Sequence, residues 1–211
     1  MPFAHAVTDH AALRELYRQP RQLVLDKVID HVDDGARDLI AASPFVVVAT
    51  TGPRGTDASP RGGPPGFVAV LDEHRIALGD LAGNNRLDTF GNVLHEPAVG
   101  LIFLVRGLGE TLRVNGRATL TTDPDVLDRT SIDGRRPKVA MGIDVEACFI
   151  HCAKAFRRSG LWDPATWPSP DARPSAACVL REHLALEATA EQIEADLEVA
   201  YRTTLWDAGG V

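Results

Sequence analysis

Cysteine is scarce in this chain, with only Cys148, Cys152 and Cys178 among 211 residues. An odd and sparse count suits a reducing compartment and argues against a disulfide framework. There is no CxxC. Cys148 and Cys152 stand four apart with His151 between them, short of the four ligands that structural zinc takes. In a strand His151 and Cys152 point to opposite faces, so as neighbours they cannot act as nucleophile and base. The chain also has no HExxH and no serine-hydrolase elbow. A basic surplus is missing too: Lys plus Arg is 22, Asp plus Glu is 29, and the formal net charge is −7. That argues against nucleic-acid binding by bulk charge and leaves room only for a local arginine cluster holding one small anion. No apolar run reaches the roughly 20 residues of a membrane helix. Met1 to His10 lacks the basic-then-apolar pattern of a secretory signal, so the expectation is a cytoplasmic protein with no membrane partner. No GxGxxG follows an expected strand, which argues against a doubly wound dinucleotide fold.

The chain is 45% hydrophobic and 24% charged, ordinary for a soluble globular protein. At this length it can bury most of its apolar surface without metals or disulfides. Thr8 is placed to cap a helix from Asp9 to Arg18, ended by Pro20. Val24 to Val32 is mixed and reads as strand or helix, and Asp34 to Ala42 reads as a helix. From Phe45 the character changes to β-branched and apolar. Strands are expected at Phe45–Thr51, Thr56–Pro60, Phe67–Leu71, Arg75–Leu78, Ala98–Val105, Thr111–Thr121 and within Lys138–Cys152. Gly62 to Gly66 reads as a rigid loop. Helices are expected at Asn85–His95 and, started by Asp123-Pro124, at Asp123–Arg129. Six to seven strands with short connections imply antiparallel pairing, and a small closed β-barrel is favoured over a βαβ sheet. The fold class is therefore mainly β with flanking helices (α+β). A proline-rich stretch after Phe156 leads to helices at Ser175–Leu186 and Thr189–Leu205. The second carries an apolar stripe of Ile193, Leu197, Tyr201 and Leu205. The expected organisation is one structural domain in three parts: a helical segment 1–43 packed on the barrel, the barrel 44–162, and a helical extension 163–211.

Two loops combine a cation with small polar residues and glycine: Ser59-Pro60-Arg61-Gly62-Gly63 and Gly83-Asn84-Asn85-Arg86. The second directly precedes an expected helix, whose free N–H groups make a natural anion seat. A cation at that end is disfavoured by the helix dipole, so Arg86 makes sense if a phosphate sits between. Arg61 can offer the bidentate fork that phosphate oxygens prefer. The plainer alternative keeps Asn84 as an N-cap, Arg86 as a solvated residue and Ser59-Pro60 as a hairpin end. A third cluster, His151 to Trp162, brings Lys154, Arg157, Arg158 and two aromatics to a strand end. It reads either as a wall around an anionic planar ligand or as a basic loop balancing nearby carboxylates.

Taken in order, Ala58-Ser59-Pro60-Arg61-Gly62-Gly63, Gly83-Asn84-Asn85-Arg86-Leu87-Asp88-Thr89, Glu110-Thr111-Leu112-Arg113-Val114-Asn115-Gly116-Arg117-Ala118 and His151-Cys152-x-Lys154-Ala155-x-x-Arg158-Ser159-x-Leu161-Trp162 resemble the pyridoxamine phosphate oxidase-like flavoproteins, in particular a bacterial subgroup. The resemblance covers about Phe45 to Trp162. It implies an FMN-binding split β-barrel, a homodimer with flavin sites at the interface, and an oxidoreductase acting on a small molecule. Within it, Ser59, Arg61 and Gly62 would lie along the flavin ring and ribityl chain. Asn84, Asn85 and Arg86 would hold the phosphate end, and Lys154, Arg158 and Trp162 would close the site, from the partner subunit if need be. The resemblance names no acid–base residue, and the helical, acidic C-terminus departs from the Arg-x-His substrate motif of the true oxidases. The alternatives are a split barrel using deazaflavin or haem, with His151 as the tempting axial ligand, and a non-catalytic flavin-binding or storage protein. No metal site is expected.

Overall fold

The structure is a computed structural model that describes residues 3–80 and 83–206. Helices α1 (His10–Leu16) and α2 (Gln22–Asp26) come first and bury no residue. The cap of α1 is Asp9, whose side chain accepts from the Ala12 amide at 2.9 Å, and not Thr8 as the sequence suggested. The ambiguous Val24–Val32 stretch divides between α2 and an extended passage in which Ile29 bridges to Cys148. Helix α3 (Asp34–Ala42) is capped by Asp33 and buries Ala36 and Ile40 against the sheet. Within segment 1–43, then, α3 and the buried Val32 supply the apolar packing on the sheet.

Seven strands follow: β1 (Phe45–Gly52), β2 (Gly55–Gly62), β3 (Val68–Val70), β4 (Arg75–Gly79), β5 (Ala98–Leu104), β6 (Thr111–Thr121) and β7 (Ala140–His151). They form one sheet in the order β2-β1-β5-β6-β7-β4-β3, with every neighbour antiparallel. Alternation along β1 and β5 sends Val46, Val48, Leu101 and Phe103 inward. They meet Ile76, Leu78, Leu112, Val114, Met141, Ile143 and Cys148 in one apolar cluster, so the sheet curls around a single core. Among the described residues no ladder joins β2 to β3. Hydrogen bonding therefore does not close the barrel that strand count alone favoured. The sheet stays split between its two edges, as the family resemblance implied.

β2 runs two residues beyond the expected Pro60. Its edge position explains this, because a proline that cannot donate to a ladder is tolerated where only one side is paired. β6 and β7 carry a bulge at Asn115/Gly116, where a side chain on Gly116 would meet the Asp144 carbonyl oxygen. Helix α4 (Asp88–His95) packs on β1, and Asn92 donates to the Thr50 hydroxyl at 3.0 Å. It starts three residues later than expected. Asn85 and Leu87 both take a left-handed φ of 57°, which interrupts the helical path. Helix α5 (Pro124–Arg129) precedes β7, and α6 (Lys154–Ser159) follows it. Helices α7 (Ala176–Leu184) and α8 (Ala190–Thr204) pack on each other. The expected stripe on α8 is only partly used: Ile193 is buried, whereas Tyr201 and Leu205 are exposed.

Candidate functional site

The split in the sheet opens into a cleft of about 840 Å³. One wall is β2 from Asp57 to Gly62, another is the end of β4 with Asp80, and the start of α4 and the 135–139 turn complete it. Strand register explains the β2 wall. Arg61 pairs with Val46 and Ser59 with Val48, both inward-facing, so Arg61 and Ser59 take the inner face at an edge with no further strand to cover it. Arg61 donates to the buried Thr89 hydroxyl at 3.0 Å, which ties β2 to α4.

The second loop reaches the same cleft in a different form from the one expected. Asn84 does not cap a helix; its side-chain oxygen accepts from the Arg86 amide two residues on, at 3.1 Å. The helix begins only after Leu87, which offers no side-chain cap. Arg86 is ion-paired, its Nε donating to Asp88 at 2.7 Å, and Arg54 holds the same carboxylate at 2.6 Å. The Arg86 guanidinium keeps the Asp88 carboxyl below its ordinary range, with Arg54 adding to the effect.

Thus Ser59, Arg61, Gly62, Asn84, Asn85 and Arg86 all line one cleft, and Lys154, Arg158 and Trp162 do not. The latter three sit beyond β7. Trp162 stacks on Phe156 with centroids 5.6 Å apart and donates to the Leu108 carbonyl at 3.0 Å. Within its own subunit this indole therefore packs against protein.

Sequence reasoning missed Asp80, Thr89, Trp206 and the run Arg135-Arg136-Pro137-Lys138, all of which line the cleft. Three cations in four residues of an acidic chain were the available signal. Buried Pro137 anchors the turn against Gly79, so the flanking cations reach the cleft. Arg136 is committed to Asp128 and to the Pro124 carbonyl, and Arg135 lies over the Trp206 ring at 5.5 Å. Among the described residues, neither Arg61 nor Lys138 has an ion-pair partner. Asp80 presents a carboxylate to the cleft. Surrounding protein raises its carboxyl above the ordinary range by desolvation, against the opposing pull of Arg61 and Lys138.

Residues 32–152, more than half of the chain, match the family model described as pyridoxamine 5'-phosphate oxidase. The chain belongs to the pyridoxamine 5'-phosphate oxidase family. The match includes every strand and every cleft residue foreseen from sequence, and it ends just before Lys154, Arg158 and Trp162. No curated protein matches the sequence. Among solved structures, HupZ of Group A Streptococcus is 21% identical, covering 56% of this chain and 93% of its own, with a TM-score of 0.47. A candidate pyridoxamine 5'-phosphate oxidase of Lactobacillus delbrueckii is 17% identical over 57% of this chain and 95% of its own, at 0.46. General Stress Protein 26 of Bacillus anthracis is 10% identical over 54% and 88%, at 0.42. The seven-stranded antiparallel split-barrel sheet with flanking helices is the fold of this family.

Proposed function

We propose that this family member is an FMN-dependent oxidoreductase acting on a small molecule, with the flavin held in the cleft of the split sheet. The observation that carries the reading is the convergence of Arg61, Lys138, Arg86 and the uncapped start of α4 on one cleft in a protein of net charge −7. Its volume of about 840 Å³ is within the usual range for cofactor sites. The residues suit the group. The start of α4 and Arg86 favour a phosphate, and Arg61 and Ser59 suit the ring and ribityl chain. When bound, the flavin would supply the redox chemistry, and the protein supplies binding, orientation and charge. A cation near the pyrimidine end favours the negative charge that reduction places there, and Arg61 is the residue assigned to that task.

Lys154, Arg158 and Trp162 lie outside the cleft of their own subunit, so any role in flavin binding comes through a two-fold partner. The exposed apolar residues Phe45 and Ile102 on the outer face of the sheet favour such a dimer. Haem is disfavoured, because no histidine is among the described residues lining the cleft. A second reading draws support from Arg135 and Lys138: a deazaflavin with an acidic tail would use them. The test is anaerobic reduction of the FMN-loaded protein by a nicotinamide donor, followed by reoxidation with candidate acceptors. The FMN reading expects the bound flavin to cycle. Tight binding without reduction or turnover would identify a storage module, and preference for deazaflavin in competition would promote the second reading.

A further inference from the structure

Asp80 is a cleft carboxylate that the FMN reading leaves without a task. It follows β4, and its amide donates to the Val139 carbonyl at 2.9 Å, so Lys138 adjoins it along the β4/β7 edge. Arg61 stands on the β2 wall. Both cations act on the Asp80 carboxylate, which accepts no hydrogen bond among the described residues. Asp80 is accessible, yet the concave wall around it holds back enough water to penalise its charge. A carboxylate so placed calls for an N–H donor, and the two cations beside it call for acceptors. The three side chains thus offer the cleft two cationic donors and one acceptor.

We propose that Arg61, Asp80 and Lys138 together form a subsite for a cyclic imide edge, whose carbonyl, N–H and carbonyl groups present the complementary pattern. The inference rests on the FMN reading, in which that edge is the pyrimidine end of the flavin. Asp80 accepts from the imide N3–H, while Arg61 and Lys138 donate to the two flanking carbonyls. The three residues also select against ligands of similar size that lack the imide, because such ligands leave the carboxylate unpaired in the cleft.

The test compares FMN with N3-methyl-FMN, which lacks only the central donor, against the parent, Asp80→Asn, Asp80→Leu and Lys138→Met, using equilibrium titration of flavin fluorescence. The amide oxygen of asparagine still accepts, whereas leucine fills the space without accepting. FMN should bind the parent and Asp80→Asn within about threefold of each other, and Asp80→Leu about ten- to a hundredfold more weakly. N3-methyl-FMN should bind all three weakly and within about threefold of one another. Lys138→Met should weaken FMN and N3-methyl-FMN by a similar factor. Undiminished FMN binding by Asp80→Leu would overturn the role of Asp80. An Asp80→Leu loss that is equally large for both flavins would show a merely structural effect and overturn it too. A parent that binds both flavins equally well would leave the FMN reading standing and remove the imide subsite. A parent that binds neither would remove the FMN reading, and the subsite with it.

Discussion

Two arginines of the cleft differ sharply in what they have free to offer a ligand, and alanine substitution should expose the difference. Arg61 is half-buried on β2; it donates to Thr89 at 3.0 Å and has no carboxylate partner among the described residues. Its remaining N–H donors are available to a ligand in a partly desolvated place. Removing a charge-assisted hydrogen bond there costs about 1.5–3 kcal/mol, or about ten- to a hundredfold in affinity. The Arg86 side chain is 68% exposed, and its charge is already balanced by Asp88 at 2.7 Å. Exposed pairs of this kind contribute at most about 1 kcal/mol, so Arg86→Ala should weaken FMN binding by no more than about fivefold. The assay is quenching of FMN fluorescence at 0.1 M salt, with thermal melts to confirm that both variants are folded. Riboflavin, which lacks the phosphate, should bind Arg86→Ala and the parent equally. An Arg86→Ala loss of affinity as large as that of Arg61→Ala, or larger, would refute this difference.

Asp80 gives a pH prediction for the flavin-free protein. Its carboxyl is raised in the folded state, so the penalty on its charge is present above the folded pKa and gone below the unfolded value near 3.8. Asp80→Asn should therefore melt higher than the parent at pH 7, with the gap closing as pH falls through the carboxylate range; a constant gap would contradict this. Gly116→Ala would drive a Cβ into the Asp144 carbonyl oxygen at the β6/β7 bulge. It should lose about 3 kcal/mol in urea unfolding, and a loss under about 1 kcal/mol would mean that the bulge relaxes freely. In light scattering the protein should appear at about twice 22.7 kDa, and Ile102→Glu, on the exposed outer face of β5, should shift it towards the monomer. A monomeric parent with full FMN occupancy would remove Lys154, Arg158 and Trp162 from the site.

The strands were legible because Phe45–Thr51, Ala98–Val105 and Thr111–Thr121 are β-branched, apolar and bounded by turn residues, signals that act within a few residues. Antiparallel pairing followed from the short connections. The split was not legible in those patterns, since whether β2 meets β3 depends on how far the whole sheet curls. The start of α4 was misplaced because Asn85 and Leu87 adopt left-handed backbone, and leucine gives no local warning of that. Arg61 and the Asn84–Arg86 loop were found as cation-plus-glycine motifs. Asp80 and Lys138 were not, because each is unremarkable in its own segment. Only the β4/β7 edge brings them together, across 58 residues of chain.

Flavin occupancy of the cleft is the deciding property. Equilibrium titration of the purified chain with FMN, followed through the flavin absorbance band, should saturate at one FMN per 22.7 kDa chain. The double substitution Arg61→Ala, Lys138→Met should abolish saturation in the same concentration range while leaving the melting transition intact. An FMN spectrum that the parent does not perturb, or saturation that the double variant preserves, would contradict it.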